Sequence, residues 1–185
     1  MIKDALREAE VKMKASLQSL QDDLSRIRTG RASPALVEKL PVEYYGSLTP
    51  LQQLASIAVP EPRQLFIKPY DISALKDIEK AIMTSDLGLT PNNDGKGIRL
   101  NLPPLTEERR MDLVKVVSGR VEEARVSVRN IRRDAIKDMR EFEEEKMISE
   151  DDLERGEKNV QEITDKYIEE IDKLSEQKEQ EILEV

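Results

Sequence analysis

The chain has 185 residues, 30 basic and 38 acidic side chains, a net charge of −8 and a mean hydropathy of −0.59, enough length to bury a core without disulfide staples. It holds no cysteine and no histidine, which excludes disulfides, thiol nucleophiles, imidazole acid/base chemistry, Ser-His-Asp triads and the usual zinc ligand sets. No apolar run approaches the ~18 residues that cross a bilayer, so the expectation is a soluble, unexported, cytoplasmic chain with no membrane partner.

The first pattern, Ile2, Leu6, Ala9, Met13, Leu17, Leu20, Leu24 and Ile27, advances in steps of three and four and predicts one face of a helix. The helix is expected to run to Thr29-Gly30, where glycine enters the left-handed region without a Cβ penalty.

From 31 to 104 the helical period disappears, and all nine prolines and four of the seven glycines lie there. VEYY from Val42, ASIAV from Ala55, LFIKP from Leu65 and GIRLNL from Gly97 read as strands, the last turning Ile98, Leu100 and Leu102 inward and Arg99 and Asn101 outward. Ser73 is the expected cap of a short helix that buries Leu75, Ile78 and Ile82. The string NDGKG, Asn93 to Gly97, lacks the spacing and hydroxyl of a phosphate loop. Read as a calcium loop, it puts Thr90 and Asn101 where carboxylates are required. Tyr44-Tyr45-Gly46 reads as strand and turn packing, with a partner-facing tyrosine as the alternative.

After Pro104-Leu105 a second helix begins, with Thr106 as expected N-cap and Glu107 and Glu108 in the first turn. Its seam is Leu113, Val117, Val121, Ala124, Val128, Ile131, Ala135 and Met139; run to about Lys146, it would be ~60 Å long and would need partners throughout. EFEEEK, from Glu141, reads as a solvated helix end. Ser149 and Asp152 are spaced as a capping box for a third helix, with Leu153, Val160, Ile163, Tyr167, Ile171 and Leu174 on its face and Ile168 and Ile182 widening it.

Three narrow stripes bury best against one another. The expected class is α+β: an elongated three-helix bundle from 1–29 and 105–185, with a small, β-rich α/β domain of residues 30–104 inserted between its first two helices. Hinges are expected near Gly30, Arg31, Ala32 and Ser33, and near Leu102, Pro103, Pro104 and Leu105. Glycine at one crossing frees the backbone and proline at the other restricts it, which favours a directed swing over a loose tether. A rigid corner is the alternative.

The acidic whole hides a basic middle: residues 1–108 sum to −1, 109–140 to +5 and 141–185 to −12. Arg125, Arg129 and Arg132 stand at i, i+4 and i+7, each one position past a seam residue, and Arg133 follows Arg129 by one turn. They are expected to line one exposed flank suited to bidentate contact with phosphate. Pairing of that flank with the acidic third helix is the competing reading. Arg26, Arg28 and Arg31 form a second basic cluster. With two phenylalanines, four tyrosines and no tryptophan, base stacking is poorly provided for, so structured RNA backbone is the better target.

Those same strings resemble a known family along nearly the whole chain. IRTGRASPALVE (Ile27 to Glu38), VEYYG (Val42 to Gly46), TPLQQLAS (Thr49 to Ser56), EKAIMTSDLGLTPN (Glu79 to Asn92), PPLTEERR (Pro103 to Arg110), RVSVRNIRRDA (Arg125 to Ala135) and SEDD (Ser149 to Asp152) are similar to the ribosome recycling factor family, and QEITDKYI (Gln161 to Ile168) extends the match.

The resemblance implies a non-enzymatic translation factor without cofactor or metal, L-shaped, with a bundle that mimics transfer RNA. It would bind the 70S ribosome after termination, across the A and P sites and chiefly on large-subunit 23S rRNA. With elongation factor G and GTP it would promote subunit separation and release of mRNA and tRNA. A monomer is expected. Carried over by position, Arg129 and Arg132 would anchor the bundle to rRNA, with Arg125 and Arg133 in the same row and Arg28 and Arg31 on a basic turn nearby. The residue reading keeps two alternatives: a passive structured-RNA-binding or assembly protein, and a helical adaptor that uses the acidic third helix.

Overall fold

The computed structural model describes residues 1–184. It divides the chain into two compact units, one formed by 1–28 and 107–184 and the other by 29–106.

The first unit is a bundle of α1 (Ile2–Ser25), α4 (Glu107–Glu144) and α5 (Glu150–Leu183). The α1 stripe buries Ala9, Met13, Leu20 and Leu24, and the α4 seam buries Leu113, Val117, Val121, Ala124, Val128, Ala135 and Met139. The periodicity named these residues because apolar positions three and four apart share one side of a helix. Bonds between helices fix their directions. Arg125 meets Asp172 and Arg140 meets Glu157, so α4 and α5 are antiparallel, while Ile2 lies beside Gly156 and Glu10 beside Lys166, so α1 and α5 run the same way.

The reversal between α4 and α5 is closed by backbone and side-chain bonds together. Lys146, at φ 59°, donates to the Glu143 carbonyl at 2.9 Å, and Met147 donates to the Phe142 carbonyl at 2.8 Å, a Schellman ending with lysine where glycine is usual. Three residues on, the Ser149 hydroxyl accepts from the Asp152 amide at 3.1 Å and the Asp152 carboxylate accepts from the Ser149 amide at 3.3 Å. The capping box is thus formed as its spacing predicted.

Several expectations shift. α1 ends at Ser25, and Gly30, at φ 81°, lies in the connection beyond it, not at the helix end. On α5 the buried positions include Gly156 and Thr164, while Leu153 and Ile163 are only half-buried. A search for apolar residues passes over both. A Cβ at Gly156 would stand 2.7 Å from the Met139 sulfur and 3.4 Å from Ile2, so the glycine allows α5 to approach its neighbours. Thr164 hides its hydroxyl by donating to the Val160 carbonyl at 2.7 Å.

The second unit holds a hairpin of β1 (Pro41–Tyr44) and β2 (Ser47–Pro50), then α2 (Leu51–Leu54). A four-stranded antiparallel sheet follows, β3 (Ala55–Glu61), β4 (Gln64–Pro69), β5 (Pro91–Asn93) and β6 (Ile98–Asn101), in the order β3-β4-β6-β5, with α3 (Leu75–Thr84) before β5. Val42, Leu65, Ile67, Ile98, Leu100, Ile78 and Ile82 share its core. The short strands β2 and β5 carried no alternating signal and went unread. Asp71, not Ser73, caps the turn that leads into α3, accepting from the Ser73 amide at 3.0 Å. NDGKG is the loop between β5 and β6, held by Asn93 and Asp94 side chains that accept from the amides of Gly95, Lys96 and Gly97. Tyr45 and Gly46 form the β1–β2 turn, both at positive φ.

Gly97 is closely packed: a Cβ there would lie 2.6 Å from the Phe66 ring and 2.8 Å from the Ile67 carbonyl. Gly97→Ala should destabilise the small unit by about 1–3 kcal/mol, read as faster amide exchange in β4 and β6 with the bundle unchanged. Ser149→Ala should cost about 1 kcal/mol in thermal unfolding. Asp152 is held below its ordinary pKa by the Ser149 hydroxyl and amide, then by Arg155. A depressed folded pKa means that its contribution is present above the unfolded value, about 3.9, and is lost as pH falls through the folded one. Asp152→Asn should therefore be less sensitive to acid below about pH 4.

Candidate nucleic-acid interface

Helix α4 carries its arginines at positions set by the seam. Each residue advances about 100° around the axis, so Arg125, Arg129 and Arg132 fall just past Ala124, Val128 and Ile131, on the side toward α5. A single exposed flank was expected there. The structure corrects that: in a three-helix bundle, one position past the seam is still within reach of the neighbouring helix.

Arg125 donates through Nε and Nη2 to one Asp172 oxygen, at 3.1 and 2.6 Å, and touches Glu122 at 3.4 Å. Its side chain is 30% exposed. The bond to Asp172 is the main cause that raises its pKa further. Arg132 is half-buried and donates to the Gln161 side-chain amide oxygen, Oε1, at 2.8 Å; the Gln161 Nε2 in turn donates to Asp165 at 2.8 Å. The Arg132 Nε is buried without an acceptor among the described residues. One further bond, Arg140 to Glu157 at 3.0 Å, continues this edge. The competing reading, arginines paired to the acidic third helix, therefore describes Arg125 well.

Arg129 and Arg133 differ. Arg129 reaches back seven residues to Glu122 at 3.4 Å and keeps 47% of its side chain exposed. Arg133 is exposed and has no ion pair or hydrogen bond from its side chain among the described residues. It borders a shallow depression with Ile136, Lys137, Arg140, Glu141 and Glu144. The exposed cationic surface of α4 is thus centred on Arg129 and Arg133, with Arg132 held at its inner edge by α5.

Arg28 is exposed and unpaired among the described residues and is the last residue of the first segment of the bundle unit, whereas Arg31 belongs to the small one. The Ser16 and Ser127 hydroxyls meet at 2.8 Å. Counting nine residues along each antiparallel helix, the end of α1 is level with Ser118, about 16 Å along the axis from Arg129. Arg28 and the α4 arginines are two basic sites on the bundle, not one cluster.

The residues that aim the arginines were missed by the sequence reading. Glu122, Gln161 and Asp172 lie 3 to 47 positions from the arginines they hold. Only Glu122 gave a local signal, at i−3 from Arg125.

Comparison with known proteins supplies a frame for this surface. The family model described as ribosome recycling factor matches residues 20–183. The ribosome-recycling factors of Roseiflexus castenholzii and Dehalococcoides mccartyi are 55% and 56% identical over 185 residues, with full coverage of both chains. A solution structure of the ribosome recycling factor superposes with a TM-score of 0.75 at 48% identity, covering 100% of this chain and 98% of that one. A second structure, 49% identical with a TM-score of 0.64 and 99% coverage of both chains, represents the Thermus thermophilus factor with Escherichia coli elongation factor G bound to the post-termination complex.

The Arg125–Asp172 pair is half open to solvent, so a double-mutant cycle with Arg125→Ala and Asp172→Ala should return a coupling of about 0.2–1 kcal/mol in chemical denaturation. A larger value would show that the arginine serves chiefly the bundle.

Proposed function

The chain belongs to the ribosome recycling factor family, and from that premise we propose that it binds the post-termination ribosome and, with elongation factor G and GTP, promotes separation of the subunits and release of mRNA and tRNA. The observation that carries the reading is the end-to-end similarity to a factor represented with elongation factor G on a post-termination complex. The chain is not an enzyme in this reading: GTP bound to the partner supplies the free energy, and this protein transmits it. Its place of action is the cytoplasm, where ribosomes are; no helix among the described residues is long and apolar enough to cross a membrane.

The α4 surface meets large-subunit rRNA through phosphate contacts. Arg129 and Arg133 offer their guanidinium groups outward, and Arg132 contributes a donor fork whose direction is set by Gln161. Arg125 adds less, because Asp172 already occupies it. Arg28 and Arg31 bind at a second place along the molecule. The acidic residues of α5 limit overly tight or misplaced binding by offering the arginines an alternative partner. The small unit moves relative to the bundle at the connections around Gly30 to Ser33 and Pro103 to Leu105 when elongation factor G acts. The basic groups contact phosphate without base stacking, since exposed rings are absent from the α4 surface.

Arg133→Ala should lower ribosome affinity about tenfold and leave thermal stability unchanged, and the dependence of log affinity on log salt should become shallower by about one unit. Arg125→Ala should lose less. The decisive measurement is light scattering of post-termination ribosomes mixed with the protein, elongation factor G and GTP, beside Arg132→Glu. A fall in scattering that needs every component and fails with the variant is expected. Intact ribosomes with the unaltered protein and a matched translocase would leave only passive RNA binding.

A further inference from the structure

Three arginines of α4 face α5 at matched heights. Arg125 meets Asp172, and Arg140 meets Glu157. In an antiparallel pair, seven residues on from Arg125 and seven back from Asp172 put Arg132 level with Asp165, and eight more of each reach Arg140 and Glu157. The register thus offers Arg132 a carboxylate of its own. It takes another partner: Arg132 Nη1 donates to Gln161 Oε1 at 2.8 Å, and Gln161 Nε2 donates to Asp165 Oδ1 at 2.8 Å.

We infer that Gln161 is a spacer whose amide holds Asp165 off Arg132, so that α5 aims this arginine without neutralising it. The inference rests on the reading of Arg132 as a phosphate contact and makes Gln161 a positioning residue for that contact. The two charged neighbours fix which way round the amide lies. Reversed, it would turn its NH2 group toward the guanidinium and its oxygen toward the carboxylate, two repulsive contacts. Gln161 and Asp165 stand at i and i+4 on one helix, so their bond draws the carboxylate back along α5.

The contrast with Arg125 shows what the spacer preserves. Asp172 brings Arg125 a full negative charge and engages both Nε and Nη2. Gln161 brings Arg132 an acceptor with no net charge and engages Nη1 alone. Among the described residues Arg132 has no ion pair, and its Nη2 has no hydrogen bond. Its Nε is buried, so the inner edge of the fork is packed into the bundle. A guanidinium that keeps its charge and one unbonded terminal nitrogen, on a stem held in place, suits a phosphate oxygen. At Arg125 the same phosphate would first have to displace a carboxylate.

The test has one arm in the free full-length chain and one on ribosomes. Arg132 and Gln161 are half-buried and Asp165 is exposed, so substitutions at these sites leave the packed seam intact. Double-mutant cycles of Arg132→Ala with Asp165→Asn are read by chemical denaturation, once with Gln161 in place and once in Gln161→Ala. Without Gln161 the coupling should reach about threefold in the unfolding equilibrium constant, the size of a solvent-exposed ion pair, and with Gln161 it should stay below about 1.5-fold. On post-termination ribosomes Gln161→Ala should bind about threefold more weakly, the strength of the competing ion pair. Asp165→Asn should restore that loss, yet raise affinity far less when Gln161 is present, which separates the effect from general removal of negative charge. A coupling no larger without Gln161 than with it would overturn the spacer. So would a loss in Gln161→Ala that Asp165→Asn leaves uncorrected, since Gln161 would then act through packing alone. Failure of the phosphate reading looks different: Arg132→Ala would itself bind ribosomes as tightly as the unaltered chain, while the free-chain coupling still appeared in Gln161→Ala.

Discussion

Burial of the α4 seam between α1 and α5 is the constraint on which the other features depend. A helix of 38 residues with a narrow apolar stripe has no internal reason to stay helical along its whole length in water, because most helical stability in proteins comes from packing one face. The seam meets α1 on one side and α5 on the other, in register from Ala9 beside Ala135 and Met139 to Ser16 beside Ser127. Once that register is set, each arginine of α4 has a fixed direction. Gly156 and the Ser149–Asp152 box set where α5 starts and how closely it lies, and so which carboxylate faces which guanidinium.

The acidic helix and the basic row then form one electrostatic arrangement. Arg125, Arg132 and Arg140 are bonded across to α5, whereas Arg129, equally next to the seam, turns back to Glu122 on its own helix, and Arg133, one position farther out, is open among the described residues. Pairs this exposed contribute little to stability. Their larger effect is on geometry and competition: a phosphate must displace Asp172 to reach Arg125 but finds Arg133 open. That difference leaves the cationic surface of α4 graded, from paired at Arg125 to open at Arg133, within a chain of net negative charge.

The small unit is organised by different physics. Its core is made by strands that pair far apart in sequence, and its close approaches depend on a missing side chain. Gly97 lets the Phe66 ring lie over the sheet, where the Arg99 guanidinium stands 4.8 Å from the ring centre. Tyr45 occupies a turn position with φ 49° and is 82% exposed, with its ring edge-on to Tyr44, whose hydroxyl donates to Asp71 at 3.0 Å. Of the two readings of that tyrosine pair, packing suits Tyr44, and Tyr45 is turned outward.

The sequence by itself determined the three helical stripes, the capping box at Ser149, the proline-bearing insertion and the location of the basic segment. These are local properties: periodicity, capping spacing and charge are written within a few turns of chain. The long ordered strings also identified the family, since they carry far more information than any single motif. Tertiary structure alone decided which arginines stay open, because Asp172 and Gln161 lie dozens of residues from the groups they hold. It also decided that Gly156 and Thr164 replace apolar neighbours in the seam, and that Asp71 caps in place of Ser73. Each of these depends on which surfaces meet after the chain has folded back on itself, and neither hydrophobic period nor residue type records that meeting in advance.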